Sequence, residues 1–314
     1  MASAHPRYLW WKGARVSWEE ATVHVTDLPW SSVGAVFEGI RAYWNPASGQ
    51  LFVFRLREHL ERLKRSAKVV RLPIALSVDA LIDITLDLLR ANEVQEDTYI
   101  FPFVYLGSDA STRYDPAALK GELLIRTSPM PSHLGTGRTQ RARVSTWTRI
   151  SDTVMPPRVK NISNYRNGQL ATHEVRLDGY DVAFMLNAQG KLAEAPGACV
   201  ALVRDGRLIT PDVTSGILES ITRDALLTLA REELGIAVEE RPVDRTELYM
   251  ADEVFTCGTA AEITPVVEVD RYVVGDGGIG PVTQRLERLF HDVVRGNEVR
   301  WAHWRTPVAL AASV

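Results

Sequence analysis

The stretch Val159-Lys160-Asn161-Ile162-Ser163-Asn164-Tyr165-Arg166-Asn167-Gly168-Gln169-Leu170 contains one of only six lysines in a chain of 314 residues. A desolvated lysine can lose its proton and attack a carbonyl carbon, whereas arginine cannot. Lys160 follows the proline-marked segment Met155-Pro156-Pro157 and precedes Asn164, a residue type that favours the start of a helix. The pattern predicts a lysine near the end of a strand, and a solvated surface lysine is the simpler alternative.

The composition is that of an ordinary globular protein, with 46% apolar and 24% charged residues. The length leaves room for two domains, and the net charge of -3 gives no electrostatic reason to expect nucleic-acid binding. Cys199 and Cys257 are the only cysteines, and both lie in apolar runs, which is typical of a reducing compartment. Because neither a transmembrane run nor a signal-peptide core is evident, we expect a cytoplasmic protein without a membrane partner.

The periodicity of apolar residues predicts grouped strands and helices, an α+β pattern and not a doubly wound one. Short alternating pieces before residue 54 predict strands, among them Val23-His24-Val25. Later strands are predicted over about 98–106, 122–127, 143–148, 182–186, 198–203, 208–209, 236–240 and 253–257. Helices are predicted over about 58–70, from after Ser77 to about residue 92, over 164–177 and 218–234, and from Pro281. A segment rich in Pro, Gly and Ser separates two parts, so we expect a small domain over 1–127, a loop over 128–140 and a larger domain over 141–314.

Two motifs that suggest other chemistry are better explained as structure. Gly275-Asp276-Gly277-Gly278-Ile279-Gly280 fits a dinucleotide fingerprint, but no acidic residue follows at the required distance, which favours a simple turn. Cys257 ends an apolar run, which favours a buried thiol over a nucleophile. The histidines lack zinc-ligand spacing, so no metal is expected.

Two further motifs indicate anion sites. Ser220-Ile221-Thr222-Arg223-Asp224 and Gly258-Thr259-Ala260-Ala261-Glu262 place small or hydroxyl residues at or near a predicted helix start. Free backbone N–H groups in such positions attract phosphate or carboxylate. Capping by Thr222 or Thr259 is the alternative that the sequence leaves open.

The chain as a whole resembles the branched-chain amino acid aminotransferases, which belong to the fold-type IV pyridoxal-phosphate enzymes. The resemblance extends over almost the whole length. It is carried by ordered blocks at Val36–Arg41, Arg57–Leu63, Lys160 with Asn164-Tyr165, Gly179–Asp181, Glu194, Gly216–Asp224, Ala251–Phe255 and Gly258–Pro265. It implies a small α+β domain and a larger pseudo-barrel α/β domain joined by an interdomain loop, and a homodimer or dimer-based oligomer.

The resemblance also implies a role for each matching residue. Lys160 would bind pyridoxal 5′-phosphate through a Schiff base and move the proton at the substrate Cα. Glu194 would pair with the ring nitrogen, and Tyr165 would donate to the ring's phenolic oxygen. The phosphate and ring face would be held by Arg62, Ile221, Thr222, Thr259 and Leu218.

The substrate side departs from the family pattern. The family usually has arginine where Phe101 stands, and a Tyr-Gly pair where Ser32-Val33 stands. The Trp and Tyr usual in the interdomain loop are replaced by Met130 and His133. Arg113 or Arg138 is a candidate replacement for the missing carboxylate receptor. The expected substrate-binding residues are Ser32, Phe37, Gly39, Tyr99, Phe101, Arg113, Met130, His133, Ala260 and Ala261.

These residues predict a transaminase that moves an amino group from a hydrophobic, branched-chain-like amino acid to a 2-oxo acid through pyridoxamine phosphate. An (R)-selective amine or D-amino acid aminotransferase is the alternative within the family. A lyase of the aminodeoxychorismate lyase type, a nicotinamide dehydrogenase and a non-catalytic binding protein are the more distant ones. The expected partners are therefore small molecules only.

Overall fold

A computed structural model describes residues 5–27, 31–107 and 113–309. The chain forms two compact units. The first comprises 1–132, 159–163 and 293–314, and the second comprises 133–158 and 164–292. The first unit thus includes the segment around Lys160 and the described residues 293–309, and the three ranges expected from the sequence stay a prediction. The α+β class is confirmed.

The first unit is built on an antiparallel sheet, whose strands are β1 (Tyr8–Trp11), β2 (Ala14–Ser17), β3 (Val36–Phe37), β4 (Ile40–Asn45), β5 (Gln50–Phe54), β6 (Thr98–Leu106), β7 (Gly121–Pro129) and β16 (Arg305–Val308). They are arranged in the order β16-β5-β4-β6-β7-β1-β2, with β3 paired to β6. Helices α1 (Leu56–Val69) and α2 (Val78–Ala91) supply leucines to the same core as the sheet. Side chains of β6 alternate between this core and the opposite face, as a strand requires.

The second unit contains a mixed sheet in the order β12-β11-β10-β13-β14-β8-β9, with β15 paired to β14. Its strands are β8 (Gln140–Val144), β9 (Val182–Phe184), β10 (Cys199–Arg204), β11 (Arg207–Thr210), β12 (Val238–Glu240), β13 (Glu253–Gly258), β14 (Glu262–Val269) and β15 (Tyr272–Val273). Its helices are α3 (Asn164–Leu177), α4 (Ile221–Glu232) and most of α5 (Pro281–Arg295).

Local signals set several of these boundaries. Ser77 caps α2 by accepting from the N–H of Ala80 at 3.1 Å, and Ser220 caps α4 in the same way. Gly235, at φ +63°, follows α4 in the left-handed region that glycine adopts without strain.

Two strand predictions were wrong in type or extent. The strand predicted at Val23–Val25 is absent, and Val25–Asp27 forms a 3-10 helix instead. Val25 is exposed, so its apolar alternation does not mark a buried face. The strand predicted over 143–148 lies at Gln140–Val144, because its parallel partners β14 and β9 pair with those residues.

Candidate active site

Two hydrogen bonds fix the main chain of Lys160 in the first unit. The N–H of Phe37 donates to the Lys160 carbonyl at 3.0 Å, and the Lys160 N–H donates to Ser66 Oγ at 3.3 Å. The predicted strand is reduced to an isolated bridge between Val36 and Asn161, because the chain turns into α3 only three residues later. The amine of Lys160 lies 4.8 Å from the centroid of the Phe37 ring. Its backbone position is thus fixed while its side chain is half-buried.

A buried ionic cluster is formed by Glu38, His59 and Arg62. Arg62 donates to both oxygens of the Glu38 carboxylate, from Nε at 2.7 Å and from Nη2 at 2.8 Å. His59 Nδ1 donates to Glu38 Oε2 at 2.7 Å. Burial alone would raise the pKa of Glu38, but Arg62 and His59 lower it to about 2. Burial lowers the pKa of His59, so Glu38 is the anion that balances Arg62.

The sequence did not predict this cluster of Glu38, His59 and Arg62, and only Arg62 was expected in the site, as a phosphate ligand. The available signal was the spacing of His59 and Arg62, which places both on one face of α1. The structure commits two Arg62 donors to Glu38, and its phosphate contact stays a prediction.

A row of aromatic rings covers the face of β6 opposite the core. Tyr99, Phe101, Phe103 and Tyr105 follow one another with ring centroids 6.4, 5.7 and 5.8 Å apart. Phe37 joins the row 5.2 Å from Phe101. Since Phe37 also contacts the Lys160 amine, the structure brings three predicted substrate residues together beside the predicted catalytic lysine.

Gly39 is required by the close approach of Tyr99. A Cβ atom at Gly39 would lie 2.1 Å from the Tyr99 hydroxyl oxygen, far inside van der Waals contact. Glycine at this position therefore sets where the Tyr99 ring lies.

The start of the predicted interdomain loop is anchored within the first unit. Arg41 Nη2 donates to the carbonyls of Met130 and Pro131, each at 2.7 Å. The Met130 N–H donates to the Asp97 carbonyl at 2.8 Å, and Arg295 forms a two-pronged ion pair with the Asp97 carboxylate at 2.6 Å. Met130 thus has a fixed backbone.

The other candidate substrate residues in the loops differ in exposure. Ser32 and Arg138 are exposed, whereas Arg113 is half-buried and its guanidinium lies 4.7 Å from the centroid of the Tyr114 ring. Their substrate contacts stay predictions.

In the second unit, Glu194 is a buried carboxylate with three neighbouring donors. Arg149 Nη2 donates to Oε1, and the N–H of Leu218 donates to Oε2 at 3.1 Å. The thiol of Cys199 lies 3.9 Å from Oε2. The arginine and the main-chain N–H favour the ionised carboxylate. An ionised carboxylate can accept a hydrogen bond from a protonated ring nitrogen.

The two cysteines lie opposite each other on β10 and β13, both fully buried. Burial raises the pKa of Cys257 to about 12 and raises that of Cys199 well above the ordinary value. A thiol that stays protonated is a poor nucleophile, so the preference for a buried structural Cys257 is confirmed.

The anion motifs present N–H groups as expected. The first N–H groups of α4 belong to Ile221 and Thr222, and neither has an acceptor among the described residues, since Ser220 caps Arg223. Thr259, Ala260 and Ala261 form the turn between β13 and β14, and Glu262 closes it at φ 46°. Thr259 was predicted near a helix start, but the structure places it in a hairpin because β14 pairs back onto β13.

His133 braces this turn. Its Nε2–H donates to the Ala261 carbonyl at 2.9 Å, and its backbone N–H donates to Glu262 Oε2 at 2.8 Å. Because Glu262 is fully buried, His133 fixes the position of the turn, and a direct substrate contact stays a prediction. Tyr165 is half-buried in the first turn of α3.

The glycine-rich segment before α5 is a turn. Glu253 accepts from the N–H groups of Val282 and Thr283 at 2.8 and 2.7 Å, so the α5 start is already capped by a carboxylate. Among residues 5–27, 31–107 and 113–309 there is no metal-binding group of three or more His, Cys, Asp or Glu. The helices in these ranges are also too short or too polar to cross a membrane.

The donor set fits pyridoxal 5′-phosphate by its chemistry. The group needs an amine for its aldehyde, a carboxylate for its ring nitrogen and N–H donors for its phosphate. Lys160, the ionised Glu194 and the open N–H groups of Ile221 and Thr222 match these needs.

Comparison with known proteins agrees with this donor set. The family model "Amino-transferase class IV" matches residues 35–269. The branched-chain-amino-acid aminotransferase of Salmonella typhimurium is 39% identical over 312 residues, which is 98% of this chain and 99% of that protein. The branched-chain amino acid aminotransferase of Thermobaculum terrenum, solved in its PLP form, is 49% identical with a TM-score of 0.95, covering 98% of this chain and 100% of the other. The T.th. branched-chain amino acid aminotransferase, solved with N-(5′-phosphopyridoxyl)-L-glutamate, is 34% identical with a TM-score of 0.90 over 98% and 100%. The chain therefore belongs to the class IV aminotransferases of fold type IV, among the branched-chain amino acid aminotransferases.

Proposed function

We propose that this pyridoxal-phosphate-dependent transaminase takes the amino group from branched-chain or similarly hydrophobic L-amino acids and passes it to a 2-oxo acid such as 2-oxoglutarate. The observation that carries the proposal is the near full-length similarity to enzymes named for this activity, together with Lys160 in its fixed main-chain setting. The glutamate adduct in the T.th. structure supports a five-carbon dicarboxylic acceptor.

When bound, pyridoxal 5′-phosphate supplies an aldehyde and an electron-withdrawing ring. In this proposal Lys160 would hold the cofactor through its amine and would carry the proton at the substrate Cα. Glu194, paired with Arg149, would accept a hydrogen bond from the ring nitrogen. Tyr165 would donate to the phenolic oxygen, and Leu218 would pack on the ring.

The phosphate is assigned to the N–H groups of Ile221 and Thr222, to Thr259 and to Arg62. The α4 N-terminus supports this assignment because its dipole and open donors favour an anion. The substrate carboxylate is assigned to the turn at Ala260 and Ala261, whose position His133 fixes.

The test follows the absorbance of the covalently bound cofactor. We expect the wild-type protein to carry a visible band that L-leucine removes and 2-oxoglutarate restores. Lys160→Ala removes the attachment, so the band and the reaction should both disappear, whereas the exposed-site control Lys120→Ala should retain them. A Lys160→Ala protein that still transaminates at the wild-type rate would refute the assignment of Lys160.

A second specificity is favoured by Phe101, which adds apolar surface to the aromatic row where the family usually has arginine. We propose (R)-amines such as (R)-1-phenylethylamine, or D-amino acids such as D-alanine, as additional donors. If L-leucine removes the visible band and neither (R)-1-phenylethylamine nor D-alanine does, this second specificity is refuted and only the main proposal stands.

We further propose that the protein works in the cytoplasm as a homodimer or a dimer-based oligomer, as the resemblance implies. The mass in solution, measured by light scattering during gel filtration, should be an even multiple of the mass of the 35.0 kDa chain. A monomer with full activity would contradict the dimer.

A further inference from the structure

Arg126 is a half-buried cation without an anionic partner among the described residues. It lies on β7 directly across from Phe101 on β6, and its guanidinium carbon is 4.9 Å from the centroid of the Phe101 ring. Within residues 5–27, 31–107 and 113–309, this ring is the only polar or ring interaction of the Arg126 side chain, whose guanidinium forms no ion pair and no hydrogen bond there.

Other arginines of the first unit that are half-buried or buried show a different state. Their guanidinium groups donate to carboxylates or to main-chain carbonyls, as seen for Arg41, Arg55, Arg62, Arg295 and Arg305. Arg126 is half-buried, and none of its nitrogens is among the fully buried polar atoms that lack a partner. Its N–H fork is therefore accessible to an external carboxylate, which it matches in geometry.

The position of Arg126 selects which carboxylate it meets. Phe101 lies 5.2 Å from Phe37, and Phe37 lies 4.8 Å from the Lys160 amine, so two rings separate the guanidinium from the reacting amine. A carboxylate on the reacting carbon would lie close to Lys160. A carboxylate several bonds away would instead extend along the rings toward Arg126.

We propose that Arg126 binds the distal carboxylate of a dicarboxylic 2-oxo acid and of the amino acid formed from it. This inference rests on the proposed function. The same surface serves a hydrophobic donor, since without a distal carboxylate the guanidinium stays on Phe101 and the rings contact the hydrocarbon side chain.

Two variants and one control test the inference. Arg126→Gln removes the charge, and Arg126→Lys retains it without the fork. Arg15→Gln is the matched control, because Arg15 also stacks on a ring, that of Tyr8 at 5.4 Å, but is exposed on β2. Calorimetric melting of each variant verifies that it is folded.

The first measurement is the binding of glutarate, an unreactive dicarboxylate, to the cofactor-loaded protein by titration calorimetry. The second is the ratio of kcat/KM for 2-oxoglutarate to that for 4-methyl-2-oxopentanoate, a monocarboxylic acid. We expect Arg126→Gln to weaken glutarate binding and to lower the ratio by about tenfold to a hundredfold, the effect of losing a charge-assisted hydrogen bond. Arg126→Lys should recover part of both, and Arg15→Gln should match the wild type.

Changes of less than about threefold in both measurements with Arg126→Gln would overturn the inference. An equal loss for both oxo acids would do the same, because it would indicate a packing role only. Failure of the proposed function gives a different result: the wild-type protein then does not react with L-leucine. Glutarate binding would still test the role of Arg126 in that case.

Discussion

Replacing Glu38 by glutamine should strongly destabilise the cofactor-free protein, because without the phosphate the change leaves Arg62 buried without an anion. The Arg62 side chain is 8% exposed and the Glu38 side chain is fully buried. Removing one partner of such a pair costs about 3–5 kcal/mol, since the remaining charge is neither hydrated nor neutralised. For a unit of this size we expect a fall in Tm of roughly 6–20 °C.

The measurement is urea unfolding at pH 7, followed by circular dichroism. The matched control is Asp79→Asn, which removes an ion pair to Arg57 whose side chains are 75% and 55% exposed. An exposed pair contributes about 0–1 kcal/mol, so this variant should be close to the wild type. If Glu38→Gln is no less stable than Asp79→Asn, then the buried cluster does not stabilise the fold.

Glu38→Gln should also change how the free energy of unfolding depends on pH in the acid range. The pKa of Glu38 is lowered from 4.5 to about 2, so its contribution is complete above pH 4.5 and is lost as the pH falls toward 2. That contribution is on the order of 3 kcal/mol. The wild type should therefore lose stability more steeply in this interval than Glu38→Gln, and parallel curves would contradict the assigned pKa.

Two further predictions follow from close packing and burial. Gly39→Ala should displace Tyr99, lower the free energy of unfolding by about 1–3 kcal/mol and raise KM. Gly34→Ala should do neither, because a Cβ atom there has open space. Calorimetry and steady-state kinetics measure both effects, and equal behaviour of the two variants would be evidence against the contact. Cys199 and Cys257 should not react with a thiol reagent at pH 8 in the folded protein and should both react in denaturant, because burial raises their pKa values; rapid labelling of the native protein would refute this.

Local rules were sufficient where the cause of structure is local. Ser77 and Ser220 cap helices that the sequence predicts near these positions, since capping depends only on neighbouring residues. Lys160 drew attention by its rarity, but its flanking residues alone left a surface lysine as the simpler interpretation, and its role was predicted from the resemblance of the whole chain. The strand β14 (Glu262–Val269) was not predicted, because Thr264-Pro265 interrupts its apolar run and its pairing with β13 is set by the hairpin.

Charge pairs between distant parts of the chain were beyond such rules. Glu38 and Arg62 are 24 residues apart and Glu253 caps a helix start 29 residues later, and neither partner carries a local signal for the other. These contacts exist because sheet and helix packing bring the residues together, and that packing is a property of the whole unit.

Phe101 and Arg126 show how the same limit affects the prediction of specificity. Compared position by position, phenylalanine at 101 removes a guanidinium that the family usually has there, and the sequence then suggests exposed arginines such as Arg113 or Arg138 as replacements. In the sheet, however, residues 101 and 126 are direct cross-strand partners on one face. Neighbouring strands are about 4.8 Å apart, so the Arg126 guanidinium lies one strand away from position 101 and contacts the Phe101 ring. The proposed receptor for a distal carboxylate therefore lies in a strand that a comparison of position 101 never considers.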